Sequence, residues 1–180
     1  YREIKVFVVS KSGIQKVWEL YRFIFEEQKG ITGEVDIERE RLEGLMKRLA
    51  NFQMVQDEVK KLDFKNTTTT ELLEIVLAGG LAIGASDIHY EAGEKKTKIR
   101  FRLDGLLHDM FDDLPPFNYE HLVSRIKLLS GLKINVRDEA QDGRFSVGLT
   151  TKVVEVRVSI IPSEFGETIV MRLLDPDSIS

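Results

Sequence analysis

The sequence predicts an α+β fold: a mostly antiparallel sheet with flanking helices, preceded by a small segment that begins α/β and turns helical. Three observations carry this. From Asp87 onward, six stretches alternate apolar and polar residues with period two. They come in two runs of three with one helical stretch between, and strands that follow one another without helices pair antiparallel. Ahead of them, apolar residues recur every three or four positions, the spacing of a helix with one buried face.

Taken in order, "IKVFVV" (residues 4–9) is short, apolar and β-branched, which predicts a buried strand. In the stretch that follows, Ile14, Val17, Trp18, Tyr21, Ile24 and Phe25 share one helical face, Ser10 or Ser12 can cap its start, and Gly30 suits its end. A second stripe, Leu42, Leu45, Met46, Leu49, Phe52, Val55, Val59 and Leu62, reads as one long helix or two broken near Asn51. The four threonines of "NTTTTELLEIVLAGGLAI" offer N-caps for a helix through Leu72, Leu73, Val76 and Leu77. Gly79 and Gly80 each weaken it by about 1 kcal/mol relative to Ala, which points to close packing on a sheet. This fresh start places a domain boundary near Phe64, dividing the chain into 1–63 and 64–180.

The strands follow. Ile88 and Tyr90 alternate with Asp87, His89 and Glu91; Ile99, Phe101 and Leu103 alternate with Lys98, Arg100 and Arg102. Asp104-Gly105 makes a hairpin turn, because both positions tolerate positive φ, and "LLHDMF" returns as the third strand. A helix with Leu122, Ile126 and Leu129 inward leads to "QDGRFSVGL", "KVVEVRVSII" and "ETIVMRLLD". Their apolar faces are Phe145/Val147/Leu149, Val154/Val156/Val158/Ile160 and Ile169/Met171/Leu173.

Composition bounds the function. The chain has 180 residues, 42% of them hydrophobic, and a net charge of −4. That is not the basic balance of a nucleic-acid binder, and no nucleic-acid partner is expected. The absence of cysteine removes disulfides, thiolate ligands and cysteine nucleophiles, and it suits a reducing cytoplasm. No apolar run reaches the length of a membrane span. The chain starts without methionine and "LLDPDSIS" reads as a break, so the expectation is a piece excised from a longer protein.

Three chemistries are open. Asp87, His89 and Glu91 share one strand face, where a metal can bridge such residues, with His108 and His121 as the remaining histidines. A polar strand face looks the same, and no metal site is expected. No G-x-S-x-G appears, and no glycine is followed by the lysine of a P-loop, so this chain alone is expected to hydrolyse no ATP. Arg100, Arg102, Arg144, Arg157 and Arg172 all fall on polar-facing strand positions. Arginines clustered on one sheet face suit a polyphosphate, because guanidinium binds phosphate oxygens in a fork; the alternative is pairing with carboxylates such as Glu155.

Together, "GASDIHYE", "IRFRLDGLLHD", "LVSRIKLLSGLKI", "QDGRFSV" and "VEVRVSIIPSEFGETIVMRLLD" resemble the secretion ATPases of type II secretion and type IV pilus assembly, from about Leu81 to Asp175. Residues 1–63 resemble, more loosely, the end of their N-terminal docking domain and a helical connector. The resemblance implies that 64–180 is the PAS-like second N-terminal domain, ending at the linker to a RecA-like motor domain that holds ATP and Mg. It further implies a hexamer and a cytoplasmic location at the inner membrane, docked on a platform protein. In the family this domain supplies arginines to the nucleotide's phosphates. Arg144 in "QDGR" and Arg157 in "VEVRVS" match the arginine-bearing motifs; Arg172 matches less closely. One departure is "IHYEAGE", where relatives often carry Ile-Glu-Pro after the histidine. The hairpin is then expected to be scaffold, with Asp87 and His89 in polar contacts that fix the sheet. A PAS-like sensor or interaction module without a nucleotide role is the alternative.

Overall fold

The structure, a computed structural model, describes residues 39–178, all within one compact unit, Thr32–Ser180. The strand expected over 4–9 and the helix carrying Ile14 to Phe25 lie outside the described residues.

The second helical stripe is two helices, α1 (Arg39–Arg48) and α2 (Phe52–Lys60). They part at Asn51, whose extended backbone starts α2 while its Oδ1 accepts the Met54 N–H at 3.0 Å. Among the four threonines Thr68 is the cap of α3 (Thr69–Ala82): its hydroxyl accepts the Glu71 N–H at 3.2 Å. The paired glycines serve two neighbours rather than the sheet alone. A Cβ on Gly79 would lie 2.6 Å from Val55 of α2, and one on Gly80 would lie 2.9 Å from Ile88 of the sheet. Helix α3 is thus held closely on both sides.

The sheet consists of β1 (Asp87–Glu91), β2 (Thr97–Leu103), β3 (Leu106–Leu114), β4 (Gln141–Gly148), β5 (Val153–Ser163) and β6 (Gly166–Leu174). Their order is β3-β2-β1-β6-β5-β4, and every neighbouring pair is antiparallel. The two three-strand meanders therefore join through β1 and β6. The β2–β3 turn has Asp104 at φ 50° and Gly105 at φ 80°, as the Asp-Gly pair predicts. Helix α4 (Pro116–Leu129) opens with proline at its first position, where no N–H is needed, and carries the chain from one edge strand to the other.

One face of the sheet is buried through Ile88, Tyr90, Ile99, Phe101, Phe145, Val156, Val158, Ile169 and Met171. Tyr119 of α4 stacks on Tyr90 there, and its hydroxyl donates to the Glu167 carbonyl at 2.5 Å. The opposite face carries the alternating polar residues. Among the described residues no helix is long and apolar enough to cross a membrane.

The division near Phe64 falls in an exposed turn containing Lys61, Lys65 and Asn66. Packing runs across it: Leu42, Leu45, Leu49, Val55 and Val59 share one apolar cluster with α3 and the sheet, and Gln56 of α2 donates to the Asp109 carbonyl of β3 at 3.1 Å. Limited proteolysis is expected to cut first between Leu62 and Thr70. The two pieces should stay together on native chromatography and part only in denaturant, because burying several aliphatic side chains contributes about 1.5–3 kcal/mol for each. Parting without denaturant would overturn the shared core.

Candidate functional site

Register brings the arginines into line on the open face. Arg144 of β4 stands opposite Arg157 of β5, and Arg157 stands opposite Arg172 of β6. Arg172 stands opposite Asp87 of β1, and Asp87 opposite Arg102 of β2. Neighbouring strands lie about 4.8 Å apart, so Arg144, Arg157 and Arg172 span roughly 10 Å along one line. Like charges set side by side cost energy unless an anion balances them.

The partners differ along the line. Arg144 is exposed and makes no ion pair among the described residues. Arg157 is 68% exposed and reaches Glu155 on its own strand with Nε at 3.3 Å. Arg172 is 63% exposed and donates its Nε to Asp87 at 2.9 Å. Arg102, 35% exposed, sets its Nε 3.2 Å from the second Asp87 oxygen and donates Nη1 to the Gly105 carbonyl at 3.1 Å. Arg100 is taken up by Glu91 at 3.2 Å and Asp109 at 2.7 Å. So the hairpin arginines are tied down, and the three in the second meander present exposed guanidiniums. The carboxylate alternative holds for Arg157 with Glu155, an exposed pair worth little, and for Arg172 with Asp87; of the three, Arg144 alone makes no ion pair among the described residues.

The "QDGR" stretch has a local reason for each residue. Gln141 accepts the Lys133 N–H at 2.9 Å and donates to the Lys133 and Val136 carbonyls at 3.1 and 3.0 Å, pinning the loop after α4. Asp142 accepts the Ser159 hydroxyl at 2.5 Å, locking β4 to β5. Gly143 leaves room for the end of α4: a Cβ there would stand 2.5 Å from the Ser130 carbonyl oxygen. Arg144 is the residue left facing outward. The turn from β4 to β5 is fastened as well. The Thr150 N–H donates to Glu43 of α1, and Lys152 pairs with Asp175 at 2.6 Å and Asp177 at 2.7 Å, holding the chain as it leaves β6 beside the arginine strands.

Asp87, His89 and Glu91 do share a face, but two of them serve arginines. Among the described residues no three His, Asp or Glu side chains converge as a metal ion requires. Burial alone would raise the Asp87 carboxyl. Hydrogen bonds from Arg172 and Ser86 and the charges of Arg172 and Arg102 outweigh it, so it sits below the usual carboxylate range. Burial and the Arg102 charge hold the His89 imidazole below its ordinary range, against the pull of Asp87 and Glu91.

Both shifts are downward, so each contributes stability at higher pH that is lost on acidification. The loss from His89 begins below its unfolded value of about 6.5, and that from Asp87 below about 3.9. The melting temperature is expected to fall between pH 7 and 5, and His89→Gln should flatten that window while leaving the steeper loss below pH 4. An unchanged slope in His89→Gln would remove His89 as the cause.

Comparison with known proteins adds the following. Residues 63–180 match the family described as "Type II/IV secretion system protein". The chain is 42% identical over 108 residues to "Type II secretion system ATPase E" of Vibrio cholerae, covering 60% of this chain and 21% of that protein. It is 34% identical over 151 residues to "Type IV pilus assembly ATPase PilB" of Pseudomonas aeruginosa, covering 83% and 25%. It is 36% identical over 116 residues to "Type IV pilus assembly ATPase TfpB" of Acinetobacter baylyi, covering 64% and 20%. The chain thus spans between a fifth and a quarter of the length of these relatives.

Proposed function

The chain belongs to the type II/IV secretion system protein family, and from that premise we propose that it is a nucleotide-clamping and coupling domain of a hexameric ATPase that powers type II secretion or type IV pilus assembly. The observation that carries this is the line of Arg144, Arg157 and Arg172 at one register on three adjacent strands, with their guanidiniums exposed on the open face. In this reading ATP and Mg are held mainly by a RecA-like motor domain of the same protein. Arg144 and Arg157, with Arg172 beside them, reach the phosphates from outside. The motor domain, neighbouring subunits of the hexamer and an inner-membrane platform protein are the partners, and the cytoplasmic side of that membrane is the location. The turn tied to Glu43 and, through its Lys152, to Asp175 supports the coupling role, because it joins the helices before the sheet to the chain leaving it.

A second reading is a PAS-like sensor. The observation in its favour is a cavity of about 250 Å³ beside α4, lined by Tyr119, Glu120, Ser124, Arg137 and Phe165 among others. It does not involve the arginine line.

The test is ATP turnover by the longer protein carrying Arg144→Ala or Arg157→Ala. Each is expected to slow turnover by about ten- to a hundredfold, less than an arginine finger gives where it acts alone, because a motor domain brings further charges. Lysine at either position should not rescue, since an ammonium has no fork geometry. Arg102→Ala, engaged with Asp87 and Gly105, should be milder. Melting curves should be unchanged, both arginines being exposed. Wild-type turnover in both alanine variants overturns the clamp and leaves the sensor.

A further inference from the structure

Asp87 stands inside a line of arginines, and for a surface that meets anions its charge is of the wrong sign. Its side chain is 5% exposed and fully engaged: Arg172 Nε at 2.9 Å on one oxygen, with Arg102 Nε at 3.2 Å and Ser86 Oγ at 2.9 Å on the other. The contact to Arg172 is made through Nε alone. The two terminal nitrogens make no hydrogen bond among the described residues and belong to a side chain that is 63% exposed. An arginine on an open strand samples many rotamers, and a ligand that uses it must first order it. Here the ordering is already done, by a buried carboxylate that grips the inner edge of the guanidinium and leaves the outer fork to solvent.

We propose that Asp87 is a positioning residue of the anion site. It fixes Arg172 with its terminal nitrogens outward, in line with Arg157 and Arg144, so that the oxygens of a polyphosphate meet three guanidiniums on three adjacent strands. Arg102 on the far side balances the carboxylate and marks the end of the site. This rests on the clamp reading above.

If charge alone governed the surface, Asp87→Asn would remove a negative charge and strengthen anion binding. If Asp87 works by ordering Arg172, the same change weakens binding. The probe is inorganic triphosphate titrated into this chain at low ionic strength, followed by NMR of the arginine Nε–H groups. Asp87→Asn is expected to weaken binding roughly two- to tenfold, the worth of ordering one long side chain beforehand. Arg172→Ala should weaken it by a similar or larger factor, and adding Asp87→Asn to it should produce no further loss, because the first acts through the second. Unchanged or tighter binding in Asp87→Asn overturns the proposal. Should that variant melt below the assay temperature, Asp87→Glu and Arg172→Lys decide, since both preserve the charges. Weaker binding in both supports positioning, and wild-type affinity in both overturns it. Should Arg144→Ala and Arg157→Ala bind triphosphate as well as the unaltered chain, the clamp reading fails and takes this inference with it. Weakening there, with no weakening in the Asp87 variants, removes the positioning role alone.

Discussion

Replacing Lys127 by methionine is expected to destabilise the chain by about 3–5 kcal/mol, the cost of leaving one member of a buried ion pair without its counter-charge. Lys127 and Glu167 are both buried, with Nζ 2.6 Å from the carboxylate. The ammonium also donates to the Val136 carbonyl at 2.5 Å, so it ties α4, β6 and the loop after α4 at one point. Methionine keeps most of the apolar stem but leaves the buried Glu167 carboxylate without its counter-charge. Adding Glu167→Gln to Lys127→Met should recover most of the loss, because no uncompensated charge then remains. The Val136 carbonyl would still accept from Gln141 at 3.0 Å. Urea melts of the single and double variants measure this. A loss in Lys127→Met below about 1 kcal/mol, the range of an exposed pair, would show that the pair carries little.

That lysine also marks where reading the sequence stops. In "SRIKLLSG" the hydropathy pattern turns Ile126 and Leu129 inward, and both are buried. It offers no reason to bury Lys127 while Leu128 beside it is 42% exposed. The partner that makes burial tolerable lies forty residues later on another element.

The same distinction runs through the site. Period-two alternation placed Arg144, Arg157 and Arg172 on the polar side of their strands, since side-chain direction along a strand is a local property. The turn at Asp104-Gly105 and the caps at Asn51 and Thr68 were local too. Register was not. That Arg144 faces Arg157 depends on the length of the β4–β5 turn. That Asp87 faces Arg172 depends on β1 lying beside β6 in the sheet, although the other strands separate them in the chain. Asp87 and His89 were both expected in polar contacts: Asp87 makes them, through arginines that the sequence had no means of naming, whereas the buried Nε2 of His89 has no hydrogen-bond partner among the described residues. The turn around Phe64 joins a local signal to a non-local one. It has the composition of a linker, yet the helices on either side of it bury their apolar faces together.

Gly143→Ala is expected to cost about 3 kcal/mol, the upper part of the range for overpacking, and it separates the scaffold of the site from its chemistry. The added methyl would stand 2.5 Å from the Ser130 carbonyl oxygen, 2.8 Å from a Leu132 methyl and 2.9 Å from Ser130 Cβ. The carbonyl belongs to the backbone at the end of α4 and has no rotamer to escape into. To make room, either α4 must retreat or β4 must move outward. Retreat disturbs the Lys127–Glu167 pair one turn back, and moving β4 breaks the register that sets Arg144 opposite Arg157. Gly143→Ala should therefore lower both the melting temperature and the affinity for triphosphate, whereas Arg144→Ala one residue on should lower affinity alone. The two substitutions, measured side by side by thermal melting and by triphosphate titration, distinguish a residue that builds the surface from one that uses it. If Gly143→Ala melts with the unaltered chain, the approach of α4 to β4 is softer than these distances imply. Arg144 then owes its place to the β4–β5 pairing and the Ser159–Asp142 hydrogen bond rather than to the helix behind it.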